Sequence, residues 1–266
     1  MNRHYFLQLW RRNALKVAVV TAGATIWGVL APVLYQTVIT SLKSALPAAF
    51  TKFGSGNLGT LTGTITVMFE HPLLIALACT VAVAITVPAI AGQRQRGTLE
   101  MLLARPFSRI SLVSTVALAV ATMLMVVLAG MVLGIIIGAS VEGLMDQLPA
   151  GRLVLVWLNA VLLFSAFAAF ALAASASSNR NGPAIGITLG YLVINYFIEI
   201  LGGYLRRPDG SPEPWQSYNL FHHFQAGTIL DGNMSPFDLV VLVVLIAIPL
   251  AVALYRFPRR DLPAPG

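Results

Sequence analysis

Long apolar runs broken by short polar stretches dominate the chain. Six can be marked, at roughly 15–40, 71–92, 110–139, 152–175, 183–203 and 237–255. A helix needs about 20 apolar residues to cross a hydrocarbon core about 30 Å thick, and each run supplies that length. The prediction is an all-α polytopic membrane protein, one transmembrane domain over residues 1–266 with six spans. The third run is long enough to tilt or to project beyond the bilayer.

Polar positions refine this picture. Residues 4–13 alternate with helical period: His4, Gln8, Arg11 and Arg12 fall on one face, Phe6, Leu9 and Trp10 on another. That pattern predicts an amphipathic helix lying in the membrane interface before the first span. Gly130, Gly134 and Gly138 repeat at i, i+4 on the third run, and 165–177 is rich in Ala and Ser. Small residues at that spacing let helices approach closely.

Composition excludes a soluble protein. The chain is 57% hydrophobic and 10% charged, against about 25% charged in soluble domains. The net charge of +7 does not indicate nucleic acid, because the basic residues flank apolar runs and form no single patch. With the N-terminus cytoplasmic, the inner segments hold 12 Lys and Arg and the outer segments 5. That asymmetry predicts cytoplasmic termini. Arg11 and Arg12 resemble a twin-arginine export signal, but the run that follows is too long for one and five more come after it. Cys79 is the single cysteine, so a disulfide, a Cys-based zinc site and a CxxC motif are excluded within the chain.

Within the fifth run, Thr188, Tyr191, Asn195 and Glu199 make one polar stripe. Glu199 is the carboxylate these limits place in the outer leaflet, and Asn159 on the fourth run falls at similar depth. Intramembrane polar groups usually face a cavity or a partner, so these residues are candidates for a translocation path. Snorkelling of Glu199, or pairing with Arg206, is the alternative. The first run carries its own stripe in Thr21, Thr25, Gly28, Pro32 and Gln36, which packing could also explain. His222 and His223, between Phe221 and Phe224, do not share a helix face and have no acidic cluster, so no metal site is predicted. Residues 208–214 read as a turn-rich outer loop. The aromatics after it suggest short helices at the outer surface.

Between the second and third runs, Thr98 can cap a short cytoplasmic helix. Leu99, Leu102 and Leu103 give it an apolar stripe and Pro106 stops it. This segment resembles the signature of the ABC-2 type permease family through Gly97, Thr98, Leu99, Glu100, Leu102, Leu103, Pro106, Ser108 and Arg109. Gln93 and Val116 depart from the pattern. Residues 255–262, with Arg259, Arg260 and Asp261, resemble the ending common after the sixth span in that family.

The resemblance implies an export permease that works as a homo- or heterodimer. It places the first and fifth spans near the dimer interface. Two copies of a separate ATP-binding subunit would dock on the cytoplasmic loops, with Gly97, Thr98, Leu99, Glu100, Leu102, Leu103, Arg105, Pro106 and Arg109 as the coupling contact. ATP and Mg would belong to that partner. The chain has no G-x-x-x-x-G-K-[ST] phosphate loop, and no cofactor or catalytic residue of its own is expected. The family implies the bacterial inner membrane. An ion-coupled secondary transporter is the alternative, against which stands the shortage of intramembrane ionisable groups. A membrane-embedded enzyme or assembly factor is the other, but no catalytic constellation is present within the runs.

Overall fold

The computed structural model describes residues 2–42, 52–53, 56–99, 108–205 and 213–260. Six helices are long and apolar enough to cross a membrane: Arg3–Thr37, Pro72–Gln95, Arg109–Val141, Ala150–Ser177, Asn181–Gly202 and Pro236–Arg259. They are called the first to sixth spans below. Each overlaps one of the six apolar runs.

The first span begins earlier than its apolar run. Asn2 caps it, its side chain accepting from the Tyr5 N–H at 3.1 Å, and the α-helix continues unbroken from Arg3 to Leu34. Residues 3–22 contain no Gly or Pro, so nothing separates the expected interfacial helix from the span. That amphipathic segment is therefore the opening of the span itself. Its Tyr5, Leu9 and Asn13 are buried, while His4, Gln8, Arg11 and Arg12 stay exposed. The third span, 33 residues long, runs beside it and covers the face expected to meet lipid. Trp10 Nε1 donates to Thr122 Oγ1 at 3.1 Å, and the Asn2 N–H to Thr115 Oγ1 at 3.0 Å.

Glycines set the spacing of this pair. A Cβ on Gly134 would lie 2.1 Å from the Thr25 carbonyl oxygen, and one on Gly138 2.6 Å from that of Val29. From the other side, a Cβ on Gly28 would lie 2.2 Å from the Met131 carbonyl oxygen. Backbone thus rests on backbone, as the repeated glycines predicted.

The second span starts at Pro72, with His71 Nδ1 accepting from the Leu73 N–H at 3.2 Å. Pro88 cannot donate to the helix, and the chain widens into a π-turn over Pro88–Gly92. Ser175 of the fourth span repairs the widened turn. Its hydroxyl accepts from the Ala91 N–H and donates to the Val87 carbonyl, both at 2.9 Å, in a buried site. The fourth span also packs on the third, through Trp157 Nε1 donating to the Met125 carbonyl at 3.0 Å, and on the sixth. The fifth and sixth spans are the least covered; Ile187, Val193, Ile194 and Phe197 on the fifth and Val240, Val243 and Ile248 on the sixth are exposed.

The connections between the first and second spans and between the fifth and sixth carry structure of their own. Lys52–Phe53 and Gly56–Asn57 pair as a two-residue antiparallel ladder. A ten-residue helix, Leu61–Glu70, follows with its side chains from Leu61 to Phe69 almost all buried. Between the fifth and sixth spans come 3-10 turns at Pro214–Tyr218 and Phe221–His223 and a helix at Ala226–Asp231, which Gly232 ends at φ 94°. These elements match the expected short helices, but two of their aromatics leave the surface. Phe221 and Phe224 are each 7% exposed. Phe221 sits against Phe167 at 5.4 Å and Tyr196 at 5.8 Å, and Phe224 against Phe69 at 6.4 Å between centroids.

Candidate functional site

Backbone that turns back among apolar helices must find internal partners for its N–H and C=O groups. The segment 213–235 finds them on side chains of the spans. Asn159 Oδ1 on the fourth span accepts from the Gln225 N–H at 2.9 Å. Asn195 Oδ1 on the fifth accepts from the Leu220 N–H at 3.0 Å, while its own Nδ2 donates to the Tyr191 carbonyl at 2.8 Å. One turn on, Glu199 Oε2 accepts from Asn219 Nδ2 at 2.7 Å. Arg152 donates to the Leu230 carbonyl at 2.7 Å. Four side chains from two spans thus hold one cap over this end of the bundle.

The sixth span contributes Asp238. Its two oxygens meet His223 Nδ1 at 2.6 Å and Gln225 Nε2. Asp238 lies two residues into the expected sixth run, where nothing in the sequence singles it out as a site residue, since a carboxylate in the first turn of a helix is ordinary. His223 is buried at 4% exposure. Burial pushes the neighbouring His222 imidazole below its usual range, the His223 charge adds to this, and Asp238 opposes it. Among the described residues, no three His, Cys, Asp or Glu side chains group as a metal site.

The structure therefore brings Asn159, Asn195 and Glu199 together around the cap. Thr188 is fully buried and donates within its own helix to the Ala184 carbonyl at 2.8 Å. Tyr191 stacks on Phe170 at 4.1 Å. Thr21 and Thr25 lie elsewhere, at the glycine contact with the third span: a Cβ on Gly130 would come within 2.7 Å of Thr21 Cγ2 and 2.9 Å of Thr25 Oγ1. Gln36 is exposed beyond them, in a π-turn at Tyr35–Ile39. Arg206, the alternative partner of Glu199, lies outside the described residues.

The opposite end of the bundle is basic. There the second span closes with a Schellman motif: the Thr98 N–H donates to the Gln93 carbonyl at 3.0 Å and the Gly97 N–H to that of Arg94 at 3.1 Å. The motif needs a left-handed residue, and Gly97 supplies φ 66°. Thr98 Oγ1 also turns back to the Gln93 carbonyl at 3.3 Å. Leu99 is buried at 1% exposure. Glu100, Leu102, Leu103, Arg105 and Pro106 lie outside the described residues.

Ser108 caps the third span, accepting from the Ser111 N–H at 3.1 Å. Arg109 then donates to the Pro258 and Arg260 carbonyls at 3.1 and 2.8 Å. Arg260 in turn donates to the Ala176 carbonyl at 3.4 Å and to Asn179 Oδ1 at 3.1 Å. Buried Arg94 donates to the Ser178 carbonyl at 2.6 Å and lies 5.7 Å over the Phe257 ring. Cations are favourable at helix C-termini, where carbonyls lack partners. The two segments that carry the sequence resemblance, 97–109 and 255–262, therefore meet in space through Arg109. Asp261 and Leu262 lie outside the described residues.

No curated protein matches the chain. The family profile described as ABC-2 family transporter protein matches residues 11–262, which takes in the first span from Arg11 onward, the other five spans, the cap and the basic end. The chain is thus a multi-pass membrane protein with a permease role, and it belongs to the ABC-2 transporter family.

Proposed function

We propose that this chain is the membrane-spanning subunit of an exporter, paired with a second such chain and driven by a separate ATP-binding subunit present in two copies. ATP and Mg act on that subunit. The observation that carries the reading is the contact of Arg109 with the carbonyls of Pro258 and Arg260. It ties the signature segment to the end of the sixth span, so a push on either reaches both. The excess of Lys and Arg supports a cytoplasmic position for this end and both termini, in a bacterial inner membrane.

The cap then closes the opposite, outer end. Asn159, Asn195 and Glu199 serve transport as its anchors, near the outer gate of the path. Thr188 and Tyr191 shape the same helix face, and Thr21 and Thr25 set the spacing of the first and third spans. Gln36, exposed at the outer end of the first span, remains a candidate contact for substrate.

Docking is tested with Glu100→Lys and Gly97→Pro in the reconstituted complex with its ATPase. Both are expected to insert normally and to abolish substrate stimulation of ATP hydrolysis. Proline cannot adopt the positive φ of residue 97, and the charge reversal at 100 acts on the contact directly. Wild-type stimulation in both variants would remove the segment from coupling. A chain that transports without any ATP-binding partner would overturn the whole reading.

A further inference from the structure

Both ring nitrogens of His223 face oxygen. Nδ1 lies 2.6 Å from Asp238 Oδ1, and Nε2 lies 3.0 Å from the Ser217 carbonyl oxygen. A peptide carbonyl has no hydrogen to give, so Nε2 must carry one. A neutral imidazole would then turn the bare lone pair of Nδ1 toward a carboxylate oxygen, and two acceptors at that distance repel. The contact is a hydrogen bond only if the pair holds one further proton, whether drawn on the ring or on the carboxyl. With His223 at 4% exposure, water offers little substitute.

This pair sits at a junction. The other Asp238 oxygen accepts from Gln225 Nε2, and Gln225 Oε1 accepts from the Ser235 N–H at 2.8 Å. The Gln225 backbone N–H is the group held by Asn159. Gln225 ties Ser235 to the head of the sixth span directly, whereas residues 217 and 223 reach Asp238 only through the ring, whose link to the carboxylate needs the further proton.

Other ionisable groups face the ring without doing this. Glu199, from the fifth span, acts on it electrostatically, and its Oε2 accepts from Asn219 Nδ2. His222 meets it edge-on at 5.4 Å. The preceding turn carries Tyr218, 88% exposed, and is opened by Glu213. On the fourth span the cation that reaches the cap is Arg152, which donates to the Leu230 carbonyl.

We propose that His223 and Asp238 form a proton-operated latch that holds the cap shut while the pair is protonated and releases it as pH on that side rises. The sign follows from proton counting. The closed form binds one proton more than the open form, so low pH favours closure. The closed-to-open ratio falls up to about tenfold per pH unit over the range in which only the closed form keeps that proton. The latch is a property of the cap itself. Only its consequence for transport rests on the cap being the outer gate.

The test is hydrogen exchange on the full chain in lipid nanodiscs, between about pH 5 and about pH 8, corrected for the intrinsic pH dependence of exchange. The readout is the protection of the Leu220 and Gln225 amides. Wild-type protection is expected to fall at least about tenfold across that range. Asp238→Asn should be flat, because the Asn amide can donate to neutral Nδ1 while its oxygen still accepts from Gln225. His223→Gln, which has no titrating ring, should be flat as well, so the answer does not depend on one variant folding. His222→Gln should keep the wild-type dependence. Flat wild-type protection overturns the latch, and so does the same dependence surviving in both Asp238→Asn and His223→Gln. If exchange behaves as expected while transport ignores both substitutions, the latch stands and the gate reading falls.

Discussion

Gly134→Ala adds one methyl group where the first and third spans touch. An ideal Cβ there would lie 2.1 Å from the Thr25 carbonyl oxygen and 3.0 Å from the Val29 nitrogen. Both are backbone atoms of a long helix, so no side chain can swing aside. Restoring an ordinary contact requires the spans to part by about 1 Å, and a gap of that size forfeits a quarter to a half of the dispersion energy of each facing atom pair. With about 20 such pairs at about 0.15 kcal/mol each, the loss is about 1 kcal/mol, at the low end of measured overpacking costs of about 1–3 kcal/mol. Gly28, whose Cβ would meet the Met131 carbonyl oxygen at 2.2 Å, bears the same constraint from the other helix. Gly186 on the fifth span is the control, since nothing lies within 4 Å of a Cβ there. Thermal unfolding of the purified chain in nanodiscs should show Gly134→Ala melting several degrees below wild type and Gly186→Ala at or above it. Equal melting of the two variants would refute the claim that backbone contact sets the spacing.

The other expectations use the same measurements. Asn195→Leu leaves the Leu220 N–H without its acceptor and should cost about 1–3 kcal/mol, read as faster exchange over 216–225. Glu199→Gln keeps an oxygen for Asn219 and should change stability by less than about 0.5 kcal/mol, whereas Glu199→Leu should behave like Asn195→Leu. Gly97→Ala forces a side chain into φ 66° and should destabilise by about 1–2 kcal/mol, with Gly97→Asn milder; melting temperatures rank the three. In a Cys79→Ala background, a cysteine at Gln147 should react with an impermeant thiol reagent outside intact cells and one at Asn179 should not.

The spans were legible because lipid demands about 20 apolar residues in a row, and no tertiary context alters that. The face of Gly130, Gly134 and Gly138 was legible for a similar reason, since small residues every fourth position have few other uses. Continuity of the first span was hidden: an amphipathic segment lying in an interface and one packed on a neighbouring helix share a single periodicity, and only the third span alongside decides. The helix Leu61–Glu70 is too short for a span and mixes Thr among its apolar residues, so its burial depends on elements distant in sequence. Asn195 and Glu199 stood out as polar groups at depth. Their partners, Leu220 and Asn219, are 25 and 20 residues away, across a loop no local pattern folds. The role of Asp238 is not legible in the sequence because it exists only once His223 reaches it.

The first span has a mechanical consequence. Its 32 helical residues at about 1.5 Å each make a rod about 48 Å long, some 18 Å more than the hydrocarbon needs. At the end of the rod far from Asn2, Pro32 and the π-turn Tyr35–Ile39 weaken the helical ladder together, which is where a long helix bends. A lever with its pivot at one end magnifies rotation at the other: a swing of about 10° about Pro32 carries Arg3 through about 8 Å at that rise per residue. The basic turns around Arg11 and Arg12 ride on the far arm, and the bonds of Asn2 to Thr115 and Trp10 to Thr122 make the third span travel with it, so a small angular change at Pro32 becomes a large sweep of positive charge on a paired-helix arm.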